Sequence, residues 1–79
     1  MLNTLTNYFK SDTYSLIVSN NKLCINNYIK IISVKSDEVI IDVKDKRIFI
    51  LGRDFILKKM DKLELFIVGI IHKVEINER

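Results

Sequence analysis

From Tyr14 onward the chain is written in short apolar runs of high β-propensity, separated by polar pairs and triplets. The runs are Tyr14–Ser19, Lys22–Asn26, Tyr28–Val34, Val39–Val43, Arg47–Leu51, Phe55–Met60, Leu63–Val68 and Ile70–Ile76. Between them stand Asn20-Asn21, Lys35-Ser36-Asp37-Glu38, Lys44-Asp45-Lys46, Gly52-Arg53-Asp54, Asp61-Lys62 and the single Gly69. Strands at near-regular spacing with polar reversals predict an all-β fold, a small antiparallel meander of seven to eight short strands. Rolling that meander into a sandwich or open barrel gives its apolar residues an interior. Asn20 and Asn21 suit a two-residue hairpin turn, because Asn tolerates positive φ better than other non-glycine residues. Gly52 and Gly69 each follow an apolar run and are expected to permit a turn, bend or bulge.

Two stretches admit another period. Leu63, Phe66, Ile67, Ile70, Ile71 and Val74 fit a helical stripe, with Asp61-x-x-Glu64 as an N-terminal cap. The β-branched density, the alternation of Ile70, His72, Val74 and Ile76, and a Gly69 costing a helix interior about 1 kcal/mol favour strand instead. Before Tyr14 the pattern is helical: Leu2, Leu5, Tyr8 and Phe9 recur at spacings of three and four. A helix that short is marginal alone, so the stripe is expected to dock. Residues 1–13 thus read as a helical arm and 14–79 as one β domain. A short β-solenoid is the alternative, with Gly52 and Gly69 seventeen residues apart and Ile50 matched to Ile67. Only two rungs align, fewer than such folds require.

Alternation assigns one face to Leu23, Ile25, Val39, Ile41, Val43, Ile48, Ile50, Phe55, Leu57, Leu63, Leu65 and Ile67. The opposite face should then meet water, yet it holds Ile40, Phe49, Leu51, Phe66, Val68 and Ile71 among Asp42, Glu64, Lys73 and Glu75. An antiparallel sheet with one solvated face alternates more cleanly. The second face is covered by rolling of the sheet, by the N-terminal stripe, or by another chain. The third reading makes Phe49, Leu51, Phe66 and Val68 a self-association or partner surface.

Composition narrows the chemistry. Seventy-nine residues with fourteen isoleucines, no proline and no tryptophan describe one domain, not a disordered polar chain. A domain of this size has a thin stability margin and gains from oligomerisation. The net charge of +3 is spread over interspersed Lys, Arg, Asp and Glu, the pattern of a mixed soluble surface. Cys24 is the single cysteine, so no intrachain disulfide and no cysteine cluster can form, and a reducing compartment is expected. The segment MLNTLTNYFK lacks the charge and cleavage features of a secretory signal. The longest apolar run, Leu65 to Ile71, falls well short of the ~20 residues that span a bilayer.

Candidate chemistry is sparse. His72 is the sole histidine and lacks partners for a triad or metal site, so a half-buried structural role is expected. Cys24 lies between Leu23 and Ile25 as a small apolar filler. Asp37-Glu38 and Asp61 with Glu64 fall in turns, where carboxylates satisfy backbone donors. Two lone glycines form no phosphate-binding string. No enzyme, cofactor, metal site or small-molecule substrate is therefore expected. The rival function is single-stranded nucleic-acid binding on a small barrel, with Tyr28 and Lys30, or Arg47 and Phe49, as an aromatic and basic platform.

Several strings taken in order carry a resemblance. Arg47-Ile48-Phe49-Ile50-Leu51-Gly52, then Phe55-Ile56-Leu57, then Leu63-Glu64-Leu65-Phe66-Ile67-Val68-Gly69-Ile70-Ile71 and Val74-Glu75-Ile76 follow one framework. Leu23-Cys24-Ile25-Asn26-Asn27 and Asp37-Glu38-Val39-Ile40-Ile41 precede them at matching places. The framework resembles the YabP/YqfC family of sporulation proteins, the YqfC branch most of all, over residues 14 to 76. The chain departs from it in having Thr13-Tyr14 for a Pro-Arg, Asn20-Asn21 for a turn glycine, and no glycine in Tyr28-Ile29-Lys30. The resemblance implies a non-enzymatic protein required for endospore formation and made in the mother-cell cytoplasm. It also implies a membrane-protein partner (YqfD- or YabQ-like) that would hold the chain at the forespore membrane. Self-association of the second face would make it a homo-oligomer.

Overall fold

The structure, a computed structural model, describes residues 14–79. The expected N-terminal helix and its stripe of Leu2, Leu5, Tyr8 and Phe9 lie outside the described residues. Those residues form six antiparallel strands and no helix: β1 (Ser15–Val18), β2 (Lys22–Asn26), β3 (Lys30–Val34), β4 (Glu38–Val43), β5 (Lys46–Met60) and β6 (Glu64–Glu78). All six belong to one sheet in the order β1-β2-β6-β5-β4-β3. Every neighbouring pair is antiparallel, the opposite of stacked solenoid rungs. The sheet is open, because β1 and β3 are not paired to each other. Closure into a sandwich or barrel is not formed by strand pairing.

Six strands replace the expected seven to eight because Gly52-Arg53-Asp54 and Gly69 are not turns. Each lies inside one of two fifteen-residue strands, β5 and β6. Fifteen extended residues span about 50 Å, whereas the longest dimension of the molecule is 39 Å. The β5–β6 hairpin is shortened by irregularities at Leu51/Gly52, Arg53/Ile56 and Leu57/Lys59. A bulge places an extra residue on one strand and bends it. Asp54 takes φ 58° there and Gly69 φ 151°.

Backbone donors of β5 and β6 at the bend, on the sides facing β4 and β2, reach two turns. Gly52 N–H donates to Asp37 O (3.1 Å) and Phe55 N–H to Ser36 O (2.9 Å), both in the β3–β4 turn. Gly69 N–H donates to Asn21 O at 3.0 Å, in the β1–β2 turn. That turn is closed by Ser19 N–H on Lys22 O, but Asn20 and Asn21 do not use the expected positive φ. Asn27 does, at φ 60°, between β2 and β3.

The bend divides the sheet into two wings. The first holds β1, β2, the start of β6 and the end of β5; the second holds β3, β4, the start of β5 and the end of β6. Leu23, Ile25, Leu65 and Ile67 of the first wing and Val39, Ile41, Val43, Ile48 and Ile50 of the second belong to one buried cluster, with Phe55 at the bend. Those ten residues were all placed on a single face by alternation. The other two so placed, Leu57 and Leu63, are exposed. Leu57 lies on the end of β5, the edge of the first wing, so cover does not reach it.

Candidate interaction surface

Strand register sorts the outer face into rows. On the second wing, Lys30, Asp42, Arg47 and Asn77 form one row, Ser33, Ile40, Phe49 and Glu75 the next, and Glu38, Leu51 and Lys73 a third. On the first wing, Ile17, Cys24, Phe66 and Lys59 form one row, and Lys22, Val68 and Ile56 the next. The four residues expected to make one surface are therefore divided. Phe49 and Leu51 belong to the second wing, Phe66 and Val68 to the first. Phe49 is paired with Glu75, nine residues from Phe66 along β6, or roughly 30 Å of strand. Each pair stands in its own patch.

The patch on the first wing is the more open. Ile17 is 63% exposed and Ile56 55%, flanking the half-buried Phe66 and Val68. Periodicity did not single out Ile17 or Ile56. Their signal was available only once β1 was known to be an edge and the Arg53/Ile56 bulge to reset the phase of β5. On the second wing, Ile40 and Phe49 are half-buried and Leu51 is exposed.

The second wing also carries the strongest electrostatic arrangement. Asp42, expected to meet water, is only 5% exposed. Arg47 explains this, donating from Nε to Asp42 Oδ1 (2.6 Å) and from Nη2 to Oδ2 (3.1 Å). Arg79 Nη1 stands 4.0 Å from Asp42 Oδ2, and its Nη2 donates to Val43 O at 3.0 Å. The Arg47 hydrogen bond, aided by the charges of Arg47, Arg79 and Lys30 and opposed by burial, holds the Asp42 carboxyl below its usual range. Beside this cluster lies a shallow depression of about 440 Å³ lined by Arg47, Phe49, Asn77, Glu78 and Arg79.

A carboxylate whose folded pKa is depressed stabilises the fold above its unfolded pKa of ~3.9 and loses that contribution as pH falls through the folded value. Asp42→Asn is therefore expected to cost about 1–2 kcal/mol at pH 7, toward the lower end because Arg47 keeps contact with water. The gap from wild type should shrink below about pH 4. Urea melts at pH 7 and pH 3 measure it. An equal gap at both would show that the ion pair is not its source.

Of the expected nucleic-acid platform, Arg47 and Phe49 stand in neighbouring rows of the outer face and line the same depression. Arg47 is committed to Asp42, Lys30 stands in register with the same carboxylate, and the Tyr28 hydroxyl donates to Asp61 O. Burial, the nearby Glu64 charge and a contact from Cys24 Sγ to Glu64 Oε2 (3.8 Å) push the Cys24 thiol pKa up, against a smaller pull from Lys59. His72 is exposed, not half-buried. Leu51 pairs with Lys73 and Gly52 with Ile71, so His72 is the extra residue of a bulge and leaves the inward phase. Asp61 Oδ1 accepts from Leu63 N–H (3.0 Å) and Glu64 N–H (2.8 Å), the capping chemistry read in the sequence, here closing a hairpin. Among the described residues no three His, Cys, Asp or Glu side chains are placed to hold a metal ion, and no helix is long and apolar enough to cross a membrane.

No protein-family model, no curated protein and no solved structure matches the chain.

Proposed function

We propose that this chain is a non-enzymatic assembly protein that works by self-association, by binding a partner, or by both, through the outer apolar face of its sheet. The observation that carries this reading is the patch of Ile17, Phe66, Val68 and Ile56, which remains open after the core is complete. Exposed apolar surface of this kind marks interaction sites in small proteins. The setting we propose is endospore formation, with the chain in the mother-cell cytoplasm and held at the forespore membrane by a YqfD- or YabQ-like membrane protein. That setting rests on the order and spacing of the quoted motifs alone.

Single substitutions on each wing test which patch is used. Phe66→Ala is expected to weaken self-association at least about tenfold, while Phe49→Ala leaves it within about twofold. Both variants are half-buried outer-face truncations and should remain folded, each losing about 1 kcal/mol in urea melts. Sedimentation velocity over a dilution series reads the association. Equal loss from both variants would place the contact on neither patch in particular, and no loss from either would remove the outer face from the account.

A further inference from the structure

We propose that the free edge of β1 is the seam along which two copies of this chain join, antiparallel and about a two-fold axis through Ile17. The inference rests on the self-association reading above and adds to the outer patch a contact at the edge of the same wing.

Backbone geometry supplies the register. Ser19 N–H donates to Lys22 O, which makes Ser19 and Lys22 a hydrogen-bonded pair of the β1–β2 ladder. Such pairs alternate with non-bonded ones along an antiparallel ladder. Ile17, opposite Cys24, is then again bonded to β2, whereas Leu16 and Val18 turn their N–H and C=O groups away from β2. Among the described residues nothing pairs with that side of β1. These are unmet backbone groups on an apolar strand, the arrangement that recruits another strand.

The other open edges are guarded by charges or a register shift, and β1, though short, is not. β3 carries Lys30 and a register shift between Ile31 and Ser33. The end of β5 carries Lys58 and Lys59, and the end of β6 carries Lys73, Glu75 and Glu78. Two copies meeting antiparallel on the β5 edge would bring lysines against lysines. Charges and bulges of this sort prevent edge-to-edge pairing. β1 reads Ser15-Leu16-Ile17-Val18, with no charge, no proline and no bulge. Its self-pairing brings no like charges together, so a second copy is the occupant that this edge fits.

Two-fold symmetry makes such a contact isologous. An axis normal to the sheet keeps each copy's outer face on the same side, so outer residues must pair with outer and inner with inner. Ile17 then meets the second copy's Ile17, Ser15 meets Ser19, and Leu16 meets Val18. The Leu16–Val18 pairs exchange the outward N–H and C=O groups, and the Ile17 pair is a non-bonded one in which side chains approach closely. The outer row Phe66, Cys24, Ile17 continues across the seam into the same row of the second copy. The open patch of the first wing thereby becomes one surface twice as wide.

Cross-linking tests the register. In a Cys24→Ser background, Ile17→Cys should place two thiols across the axis at Cα separations of about 4.5 Å, inside the disulfide range. Oxidised glutathione should convert most of the protein to a covalent dimer, the two thiols giving up two electrons and two protons to yield two reduced glutathiones. Val18→Cys in the same background should cross-link at least about tenfold more slowly, since Val18 faces Leu16. Without oxidant, Val18→Pro removes an outward donor and no β1–β2 bond, and Ile17→Lys adds a guard charge at an exposed site. Each should weaken the wild-type dimer at least about tenfold without unfolding it. Amide exchange should show Ile17 protected at every concentration, and Leu16 and Val18 protected only where the dimer forms.

Cross-linking that is equal at positions 17 and 18, or absent at both while light scattering still finds an oligomer, overturns the seam and leaves self-association standing. Protection of Leu16 and Val18 at all dilutions also overturns it, because residues 1–13 of the same chain would then occupy the edge. A monomer at all concentrations removes both readings together.

Discussion

Gly52→Ala is expected to destabilise this protein more than any other single methyl addition. A Cβ at Gly52 meets Ile70 O at 1.9 Å and Phe55 Cζ at 2.7 Å. The first is a backbone atom of β6 beside the ladder that holds the wings together. It cannot move aside as a side-chain tip does. Relief requires β5 and β6 to separate at the bend, where Gly52 N–H also holds the β3–β4 turn through Asp37 O. Overpacking of a core typically costs 1–3 kcal/mol, and a backbone collision places this case at about 3 kcal/mol or above. Domains of this length are stable by about 4–12 kcal/mol. The substitution thus removes a large fraction of the total. Chemical denaturation checks it, and a loss under about 1 kcal/mol would show that the bend is not packed as described.

Phe55→Ala should have an effect of similar size, about 3–5 kcal/mol, the range for emptying a buried aromatic site. The ring is 9% exposed and lies against the positions where Gly52 and Gly69 lack side chains, 2.7 and 2.6 Å from the Cβ that each would carry. It is the piece of core that joins the wings, so its loss loosens their packing as well as leaving a cavity. The outer-face Phe49, half-buried on the second wing, gives the contrast, at about 1 kcal/mol for the same truncation. Urea midpoints of the two variants side by side measure the difference. Equal losses would contradict the assignment of inner and outer faces.

Much of this core was legible because a pleated strand gives each residue one of two faces. Ile48 and Ile50, or Leu65 and Ile67, need no tertiary information to be placed on the same side. The extent of cover is a different matter. Leu57 has the right phase, but it lies on the strand end that becomes the edge of the first wing, and no local pattern announces that.

Glycine was ambiguous for a related reason. A reversal and a bulge both call for a residue without a side chain, so Gly52 and Gly69 left open whether the chain turns back or only bends, as it does. His72 left its expected phase through the same irregularity. The candidate surface suffered most. Phe49, Leu51, Phe66 and Val68 do all belong to the outer face, as alternation required, but only the order β1-β2-β6-β5-β4-β3 reveals that they fall on different wings. Asp42 shows the opposite limit: its burial depends on Arg47 one strand away, a pairing that alternation alone does not identify.

On our proposal the open first wing and its β1 edge meet other protein. Absolute mass in solution, by light scattering behind size exclusion, tests it most directly, over a dilution series at low and high salt. The expected result is an oligomer that dissociates on dilution and is not weakened by salt, since the proposed contact is apolar and backbone-mediated and carries no ion pair. A stable monomer at every concentration and both salt conditions would contradict it.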